Sequence, residues 1–450
     1  MIALTSDRKR TVARTWTATI LMMVLASDLV SAADPLYKSN SGQNSAYTPV
    51  AEYKKYSEHC AMKQVHLLQT PGARQPAPNP SASMQATLAK VINKTHYARS
   101  EMAFLANYTY NLGDEGSLIP FGASQLYDAG STIGKRYCSG PLGKVFCGTP
   151  FLRSSSSTRL RESAGNWSEG FLSSQYTKTP IQTSVIISET SDSRNTLSNN
   201  CPNLVSIVPD AQDEWRAVWT PAVVQRLQSE ESYGLNSTDV LNFAYLCAFD
   251  SYAINATSPF CGLFKSYEWA YIEYDGDLDK YYGNAYPGAP LSRSQGAGYV
   301  NELLARLTSD RSYVDKDTTQ FYADVGYNNL MLAVFGILGF FQDDPLSTTL
   351  PCPMRSFVSS KMVPFAGRMV VESLDCSGAF EGGYWGKIFK GRTDFVRVMV
   401  NDQAMDLTSL CGQSKVTERG TYCTRSAFVE ALAKANAVAT KEFEGCGFGK

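Results

Sequence analysis

The pattern of apolar and polar positions along the chain predicts short strands that alternate with amphipathic helices. Strands are predicted at 63–69, 146–153, 183–187, 321–325, 368–374 and 396–400. Helical spacing is found at 84–106, 121–137, 160–172, 208–250, 300–307 and 328–341, and a Tyr- and Gly-rich stretch at 271–299 leads into the fifth of these helices. Because strands and helices alternate around one helix-rich insertion, the pattern indicates an α/β sheet with a helical cap.

The first 32 residues are typical of a secretory signal peptide. Basic residues between Arg8 and Arg14 precede an apolar run at 20–26, and Val30-Ser31-Ala32 supplies the small residues that signal peptidase accepts. Asp28 interrupts the apolar run, which is too short to cross a bilayer as a helix. We expect a signal peptide at 1–32, a polar extended arm at 33–59 and one domain at 60–450; a type II membrane anchor is the alternative.

Composition narrows the class of protein. The chain has 450 residues, of which 44% are hydrophobic and 18% charged, as in an ordinary globular protein. Its net charge of −1, with no basic block after the N-terminus, argues against nucleic acid as a partner. We expect a monomer that does not contact a membrane once the signal peptide is removed.

Cysteine usage and glycosylation sequons indicate the compartment. The chain has 11 cysteines but lacks the paired C-x-x-C spacing of a zinc site, which favours disulfides in an oxidising compartment. Together with the signal peptide, these features predict a secreted glycoprotein. The predicted glycosylation sites are Asn93, Asn107, Asn166, Asn236 and Asn255.

The sequence contains none of the standard catalytic motifs GxSxG, HExxH, the P-loop or a GxGxxG after a predicted strand. All three histidines, His59, His66 and His96, lie near the N-terminus, and His66 falls mid-strand, where a structural role is favoured. The run at 275–279, Asp-Gly-Asp-Leu-Asp, copies the opening of a calcium loop, but Tyr286 occupies the position that requires a bidentate acid. We therefore expect a solvated acidic turn there, and neither a metal nor a cofactor.

The segment at 64–76, Gln-Val-His-Leu-Leu-Gln-Thr-Pro-Gly-Ala-Arg-Gln-Pro, resembles a known signature. It is similar to the strand and R-H-G-A-R-x-P motif of fungal phytases, which are histidine acid phosphatases, and nearest to the basidiomycete type. Similar family segments follow in order at 118–122, 150–154, 296–307, 322–324, 363–366 and 398–402. The resemblance, from about residue 45 to the C-terminus, implies a histidine-phosphatase (phosphoglycerate-mutase-like) α/β sandwich core with an inserted, mainly helical cap from about 80–115 and 205–290.

The resemblance also implies a set of disulfides. A further local bridge between Cys138 and Cys147 is predicted from their proximity in the sequence, and Cys352 is left over. The pairs implied by the family are Cys60–Cys376, Cys201–Cys446, Cys247–Cys261 and Cys411–Cys423.

At the positions that carry the family's chemistry, this chain departs from the motif. The histidine that attacks phosphorus corresponds to Pro71, and the arginine before it to Thr70. The family's second signature, His-Asp, supplies a phosphate ligand and the acid for the leaving group; here it reads Tyr327-Asn328. Since an amide cannot act as a general acid, we expect family-type phosphatase activity to be lost.

Two family arginines survive, Arg74 and Arg153, and each is interpreted either as an anion ligand together with Asn328 or as a structural cation. Tyr327 is a candidate weak general acid if its pKa is lowered, or a wall residue in the volume of the lost histidine. Asn328 and Asn329 are also candidates to cap the following helix. Surface or rim positions are expected for Arg159 and Arg161.

Three functions follow, each with a small molecule, either anionic or neutral, as the partner. The favoured one is a repurposed non-hydrolytic enzyme of secondary metabolism, in which Arg74, Arg153 and Tyr327 assist a cyclisation, isomerisation or dehydration. The alternative is a non-catalytic secreted ligand-binding protein or effector, and the weakest is residual phosphatase activity by an altered mechanism. A deep apolar pocket favours the first function, whereas a shallow or strongly positive one favours the second.

Overall fold

The computed structural model describes residues 35–57, 60–97, 99–138, 150–174, 183–190, 195–198, 201–228, 232–310, 320–376, 394–417 and 420–447. The chain divides into Met1–Pro35 and Leu36–Lys450, and the β-sheet and the helices packed on it belong to the second unit. The predicted signal peptide lies outside the described residues. In the ranges given above, no helix is long and apolar enough to cross a membrane.

A mixed β-sheet runs through the described part of the domain. Its strands are β1 (Ala61–Gln69), β2 (Phe151–Ser155), β3 (Val185–Ile187), β4 (Phe321–Val325), β5 (Arg368–Asp375), β6 (Asp394–Val400), β7 (Gln403–Ala404), β8 (Val416–Thr417) and β9 (Tyr422–Thr424). The order is β3-β2-β4-β1-β5-β6-β9-β8, with β7 paired to β6. Strands β1 to β4 are parallel, whereas β5 and the strands beyond it pair antiparallel.

Helices cover both faces of the sheet. They are α1 (Pro78–Val91), α2 (Pro120–Cys138), α3 (Thr158–Ser173), α4 (Val208–Leu227), α5 (Ser237–Ile254), α6 (Glu268–Asn284), α7 (Ala297–Thr308), α8 (Asn328–Leu338), α9 (Ser359–Met362), α10 (Thr408–Cys411) and α11 (Arg425–Phe443). On one face α2 and α3 pack against Val65 and Leu67, while Leu68 points into the other core with α7, α8 and α11. Helices α1, α4, α5 and α6 pack on one another as a helical group. The predicted α/β core covered by helices is confirmed.

Two predicted helices, and one stretch without a predicted element, differ from the structure. The helix predicted at 84–106 ends at Val91, because Asn93 adopts a left-handed φ of 56°, and a 3-10 segment follows at Ser100–Asn107. The region 208–250 is two helices, since Asn236 and Asp239 form a capping box that begins α5. The stretch 271–299, for which the sequence predicted no element, contains most of α6.

The acidic run at 275–279 is a buried part of α6, so the prediction of a solvated turn is wrong. Asp275 accepts hydrogen bonds from the guanidinium of Arg216 at 2.6 and 2.9 Å. Asp277 forms an ion pair with Arg355 at 2.7 Å. Because alternate residues of an α-helix point to opposite sides and each carboxylate has a cation nearby, the run cannot wrap around calcium as a loop does.

The part of the N-terminal arm at 36–57 packs on the domain. Instead of being extended throughout, it forms 3-10 turns at Leu36–Lys38 and Gly42–Asn44. The backbone of Gly42 lies against Gly276, so closely that a Cβ atom on either residue would crowd the other. The Gly42 amide also donates to Glu273 Oε2 at 2.9 Å. The arm is thereby held on α6, which positions the residues that follow Gly42.

The structure contains the disulfides Cys60–Cys376, Cys201–Cys446, Cys247–Cys261 and Cys411–Cys423, the pairs that the resemblance implied. Cys147 lies outside the described residues, so a bridge to Cys138 stays a prediction. Cys352 is exposed and is not in a disulfide with any described residue. Glycosylation also stays a prediction; of the predicted sites, Asn93, Asn107, Asn236 and Asn255 are exposed and Asn166 is half-buried.

Candidate ligand-binding cleft

A cleft of about 330 Å³ opens where β1 and β4 end. Ligand sites of α/β proteins commonly lie at the carboxyl ends of parallel strands, where successive loops diverge. The lining comes from the segments that follow these two strands, the arm, the first turn of α3, α6 and the loop before β5. The lining residues are Gln43, Asn44, Thr70, Pro71, Arg74, Arg159, Lys280, Tyr327, Asn328, Asn329, Pro364 and Phe365.

The loop after β1 presents backbone and an apolar ring to the cleft. The buried hydroxyl of Thr70 donates to the carbonyls of Pro364 and Gly367 at 3.0 and 3.1 Å, so it serves the loop itself. Pro71 forms part of the wall, and its carbonyl accepts from Ala366 N at 2.8 Å. The next residue must be glycine, because the backbone of Gly122 leaves no room for a Cβ atom on Gly72.

Arg74 brings a poorly solvated cation into the cleft. Its Nη1 donates to the carbonyl of Gln75 at 2.9 Å, and no described carboxylate lies within ion-pair distance of it. Burial and the neighbouring charge of Arg159 lower the pKa of Arg74 to about 10. Like charges that share a partly desolvated site favour the binding of an anion between them.

Arg159 lines the cleft, although the sequence predicted only a surface or rim position for it. It lies in the first turn of α3, and its guanidinium stands 5.0 Å from the centroid of the Tyr327 ring. Such a cation–π contact holds the long side chain in place. The exposed Arg161, two residues further on, does not line the cleft. Helical spacing could have distinguished Arg159 from Arg161, because only one face of α3 meets the strand ends.

Tyr327 is a wall residue and not an acid with a lowered pKa. Its hydroxyl donates to both carboxylate oxygens of Glu189, at 2.9 and 3.1 Å. Burial raises the pKa of Tyr327, and the charge of Glu189 adds to this effect. The condition on which its role as a general acid depended is therefore not met, and that prediction is wrong.

The two asparagines after Tyr327 line the cleft and do not cap α8. Tyr327 itself occupies the N-cap position, and its side chain makes no capping hydrogen bond to the helix. Asn328 Nδ2 instead donates to Gln43 Oε1 at 2.9 Å, and Asn329 Oδ1 accepts from Lys280 Nζ at 3.1 Å. The amides thus connect the arm and α6 to the end of β4.

Lys280 and Gln43 are further cleft residues that the sequence analysis missed. Lys280 is only 5% exposed, and its Nζ lies 3.4 Å from Asp279 Oδ2. Gln43 Nε2 donates to the same oxygen at 3.3 Å. No sequence signal pointed to this group, because it forms only when the arm docks on α6. Within the described ranges, no cluster of His, Cys, Asp or Glu is arranged to hold a metal ion.

Arg153 does not face the cleft, so the prediction that it is an anion ligand is wrong. It lies on β2 opposite Asp324 of β4, and its Nε donates to Asp324 Oδ1 at 2.6 Å. Its Nη2 donates to Glu302 Oε2 at 2.5 Å. Although burial alone would lower the pKa of Arg153, these two carboxylates raise it. Of its two interpretations, the structural cation agrees with the structure.

His66 is also internal. It lies mid-strand in β1, fully buried, with its ring stacked on Tyr322 at a centroid distance of 5.0 Å. Burial, together with the nearby charge of Arg306, lowers the pKa of His66 to about 3. The ring is therefore neutral at ordinary pH and does not line the cleft.

Comparison with known proteins assigns the family. The profile of the histidine phosphatase superfamily (branch 2) matches residues 61–401. The chain belongs to branch 2 of the histidine phosphatases. Among curated histidine phosphatases, phytase A of Aspergillus oryzae is 32% identical, with 87% of each chain covered. Phytase A of Aspergillus terreus is also 32% identical, with 84% of each chain covered.

Solved structures agree in fold. The phytase from D. castellii superposes with a TM-score of 0.73 at 19% identity, covering 89% of this chain and 85% of that one. The multiple inositol polyphosphate phosphatase of Bifidobacterium longum, solved with inositol hexasulfate, gives 0.61 at 13% identity and covers 87% of this chain and 96% of that one. At these identities the structural likeness concerns the fold alone. A nearer relationship to basidiomycete-type phytases stays a prediction.

Proposed function

We propose that this histidine phosphatase relative is a secreted protein that binds a small anionic ligand and has lost the phosphohistidine chemistry of its family. The observation that carries the proposal is the pair Arg74 and Arg159, which share one cleft without a described carboxylate partner. Guanidinium groups bind phosphate and carboxylate through charge-assisted hydrogen bonds, and such an anion would relieve their mutual repulsion.

The residues at the family's catalytic positions support loss of hydrolysis. Pro71 has no nucleophilic atom, and the Thr70 hydroxyl is occupied by backbone carbonyls. Asn328 cannot deliver a proton, and the pKa of the adjacent Tyr327 is raised. Nucleophilic and general acid catalysis each contribute orders of magnitude in rate, so losing both leaves little phosphatase activity.

The polar lining also changes the preference between the two main functions. The sequence favoured a repurposed non-hydrolytic enzyme, for which a deep apolar pocket was expected, whereas the cleft is lined largely by cations and amides. The enzyme stays the second candidate because of one contact, the hydrogen bond from Tyr327 to Glu189, through which a carboxylate could accept the proton of the hydroxyl.

Secretion is part of the same proposal. Disulfides such as Cys60–Cys376 and Cys201–Cys446, which join residues 316 and 245 positions apart, form and persist in oxidising compartments. The exposed sequons and the predicted signal peptide agree with this compartment. Deglycosylation of the protein purified from culture medium, followed by mass spectrometry, tests both.

The test of function combines catalysis with binding on the purified full-length secreted protein. Phosphate release is measured from phytate and from a chromogenic phosphomonoester between acid and neutral pH, beside a fungal phytase. Binding of inorganic phosphate is measured by calorimetry for the wild type, Arg74→Gln and Arg159→Gln, with the exposed Arg161→Gln as the matched control.

We expect background hydrolysis, and a loss of phosphate affinity of about tenfold or more in each cleft variant but not in the control. Hydrolysis at a rate near that of the reference phytase would overturn the loss of chemistry. Phosphate binding that is absent, or unchanged by Arg74→Gln, would overturn the binding site.

A further inference from the structure

We propose that the cleft selects ligands that carry a single anionic group on a compact, hydroxyl-bearing body, and that it disfavours polyphosphorylated ligands. This inference rests on the proposed function, because it concerns the ligand class of the same site. It comes from the way charge is divided among the lining residues.

The free positive charge is concentrated on one group of residues. Arg74 and Arg159 both line the cleft, and neither has an ion-pair partner among the described carboxylates. Arg159 stacks on the ring of Tyr327, so it is held without losing its hydrogen-bond donors. A single phosphate or carboxylate group can accept hydrogen bonds from both guanidiniums.

A second group of cleft residues, which consists of Gln43, Lys280, Asn328 and Asn329, has almost no unpaired charge. Lys280 is the cation of this group, and its ammonium lies 3.4 Å from Asp279 and 3.1 Å from the amide oxygen of Asn329. Asp279 also accepts from Gln43 at 3.3 Å, which keeps its carboxylate beside the lysine. A second phosphate bound here would gain the attraction of Lys280 but meet the repulsion of Asp279.

The boundary between the two groups runs along three consecutive residues. Tyr327 contacts Arg159, whereas Asn328 contacts Gln43 and Asn329 contacts Lys280. Amide side chains both donate and accept hydrogen bonds, which suits hydroxyl groups, while burial of an uncompensated second anion among them would be costly.

The size of the cleft agrees with a compact ligand. Its volume of about 330 Å³ lies at the small end of the range for ligand pockets, which begins at about 300 Å³. The ligand class that fits is a small polyol or ring with one phosphate or carboxylate group, bound with that group on Arg74 and Arg159 and its hydroxyls on the amides.

The test uses ligands that differ in charge on similar frames. The purified full-length protein is titrated calorimetrically, at one pH and ionic strength, with myo-inositol, inositol 1-phosphate, glucuronate and inositol hexakisphosphate. We expect inositol 1-phosphate or glucuronate to bind with a Kd no higher than that of the hexakisphosphate, and myo-inositol to bind more weakly than either. A hexakisphosphate that binds about tenfold or more tightly than both overturns the inference.

A charge variant sharpens the test. Asp279→Asn removes the carboxylate that compensates Lys280, so we expect the affinity for the hexakisphosphate to rise about tenfold while that for the singly charged probes changes less than about twofold. Asp279→Glu retains the charge and is the matched control. An equal change for all anions in Asp279→Asn, with the fold verified by circular dichroism, overturns the inference.

The failure of this inference can be told from failure of the proposed function. Hexakisphosphate binding that is strong and depends on Arg74 leaves the proposed function intact and overturns only the selectivity. If none of the anions binds to the wild-type protein, both proposals fall.

Discussion

The arginines around Asp324 and the arginines of the cleft differ in one respect: only the first group is paired with carboxylates. In the interior, Arg153 and Arg306 converge on Asp324, which is fully buried between them. Arg74 and Arg159 both line the cleft, and neither forms an ion pair with a described carboxylate. The interior group is a closed set of hydrogen bonds, whereas the cleft group has donors left for a ligand. The function of an arginine therefore depends on what lies opposite it.

The interior group also shows how strongly pairing changes ionisation. Although burial alone would raise the pKa of Asp324, the charges of Arg153 and Arg306 lower it to about 2. Arg306 Nη1 donates to Asp324 Oδ2 at 2.7 Å, and Arg153 takes the other oxygen. In the cleft the balance is reversed, because Arg74 is buried and its neighbour Arg159 is another cation, and both effects lower the pKa of Arg74.

The largest expected effect is a difference in the free energy of unfolding between a variant of the interior group and a variant of the cleft group. Arg153→Met leaves Glu302 without its closest cation and Asp324 with one arginine instead of two, so we expect the free energy of unfolding to fall by about 3–5 kcal/mol. Arg74→Gln should change it by less than about 0.5 kcal/mol, since no ion pair is broken. Urea unfolding of both variants measures the difference. Equal losses in the two variants would contradict the comparison.

A smaller effect is the loss of stability at acid pH. Because the folded pKa of Asp324 lies below the ordinary value of about 3.9, its ion pairs stabilise the protein above that pH, and this stability is lost as the pH falls toward about 2. We expect its contribution to be about 2–3 kcal/mol at neutral pH.

Unfolding of the wild type and of Asp324→Asn across this acid range isolates that contribution, because other carboxylates with shifted pKa values are common to both proteins. One of them is Asp402, whose pKa is also about 2. The free-energy difference between the two proteins should shrink as the pH falls. A difference independent of pH would show that Asp324 does not titrate as described.

The smallest effect lies at the wall of the cleft. Tyr327→Phe removes the hydrogen bond to Glu189 but keeps the ring beneath Arg159, so we expect the free energy of unfolding to change by less than about 1 kcal/mol and phosphate affinity by less than about twofold. Tyr327→Ala removes the ring as well and should weaken phosphate binding further. Calorimetry compares the two variants; if the phenylalanine variant loses as much affinity as the alanine variant, the hydroxyl and not the ring matters.

Local patterns predicted the central strands well. The prediction at 321–325 coincides with β4, a fully buried strand in which Asp324 is the one charged residue. The prediction at 63–69, which rested on alternation of polar and apolar residues, falls within β1. The same reasoning failed for α6, where a Tyr- and Gly-rich sequence with buried acids has no apolar stripe of helical spacing. The acids are tolerated there because Arg216 and Arg355, from other parts of the chain, neutralise them.

The sequence by itself determined the α/β class, the family and the identity of the residues at the signature positions, since these depend on local periodicity and on motifs of contiguous residues. Only the tertiary structure decided which cations face the cleft. Arg153 and Asp324 are 171 residues apart, and the arm that carries Gln43 meets Asp279 across 236 residues. Electrostatic pairing depends on distances in space, and chain folding alone brings such remote charges together.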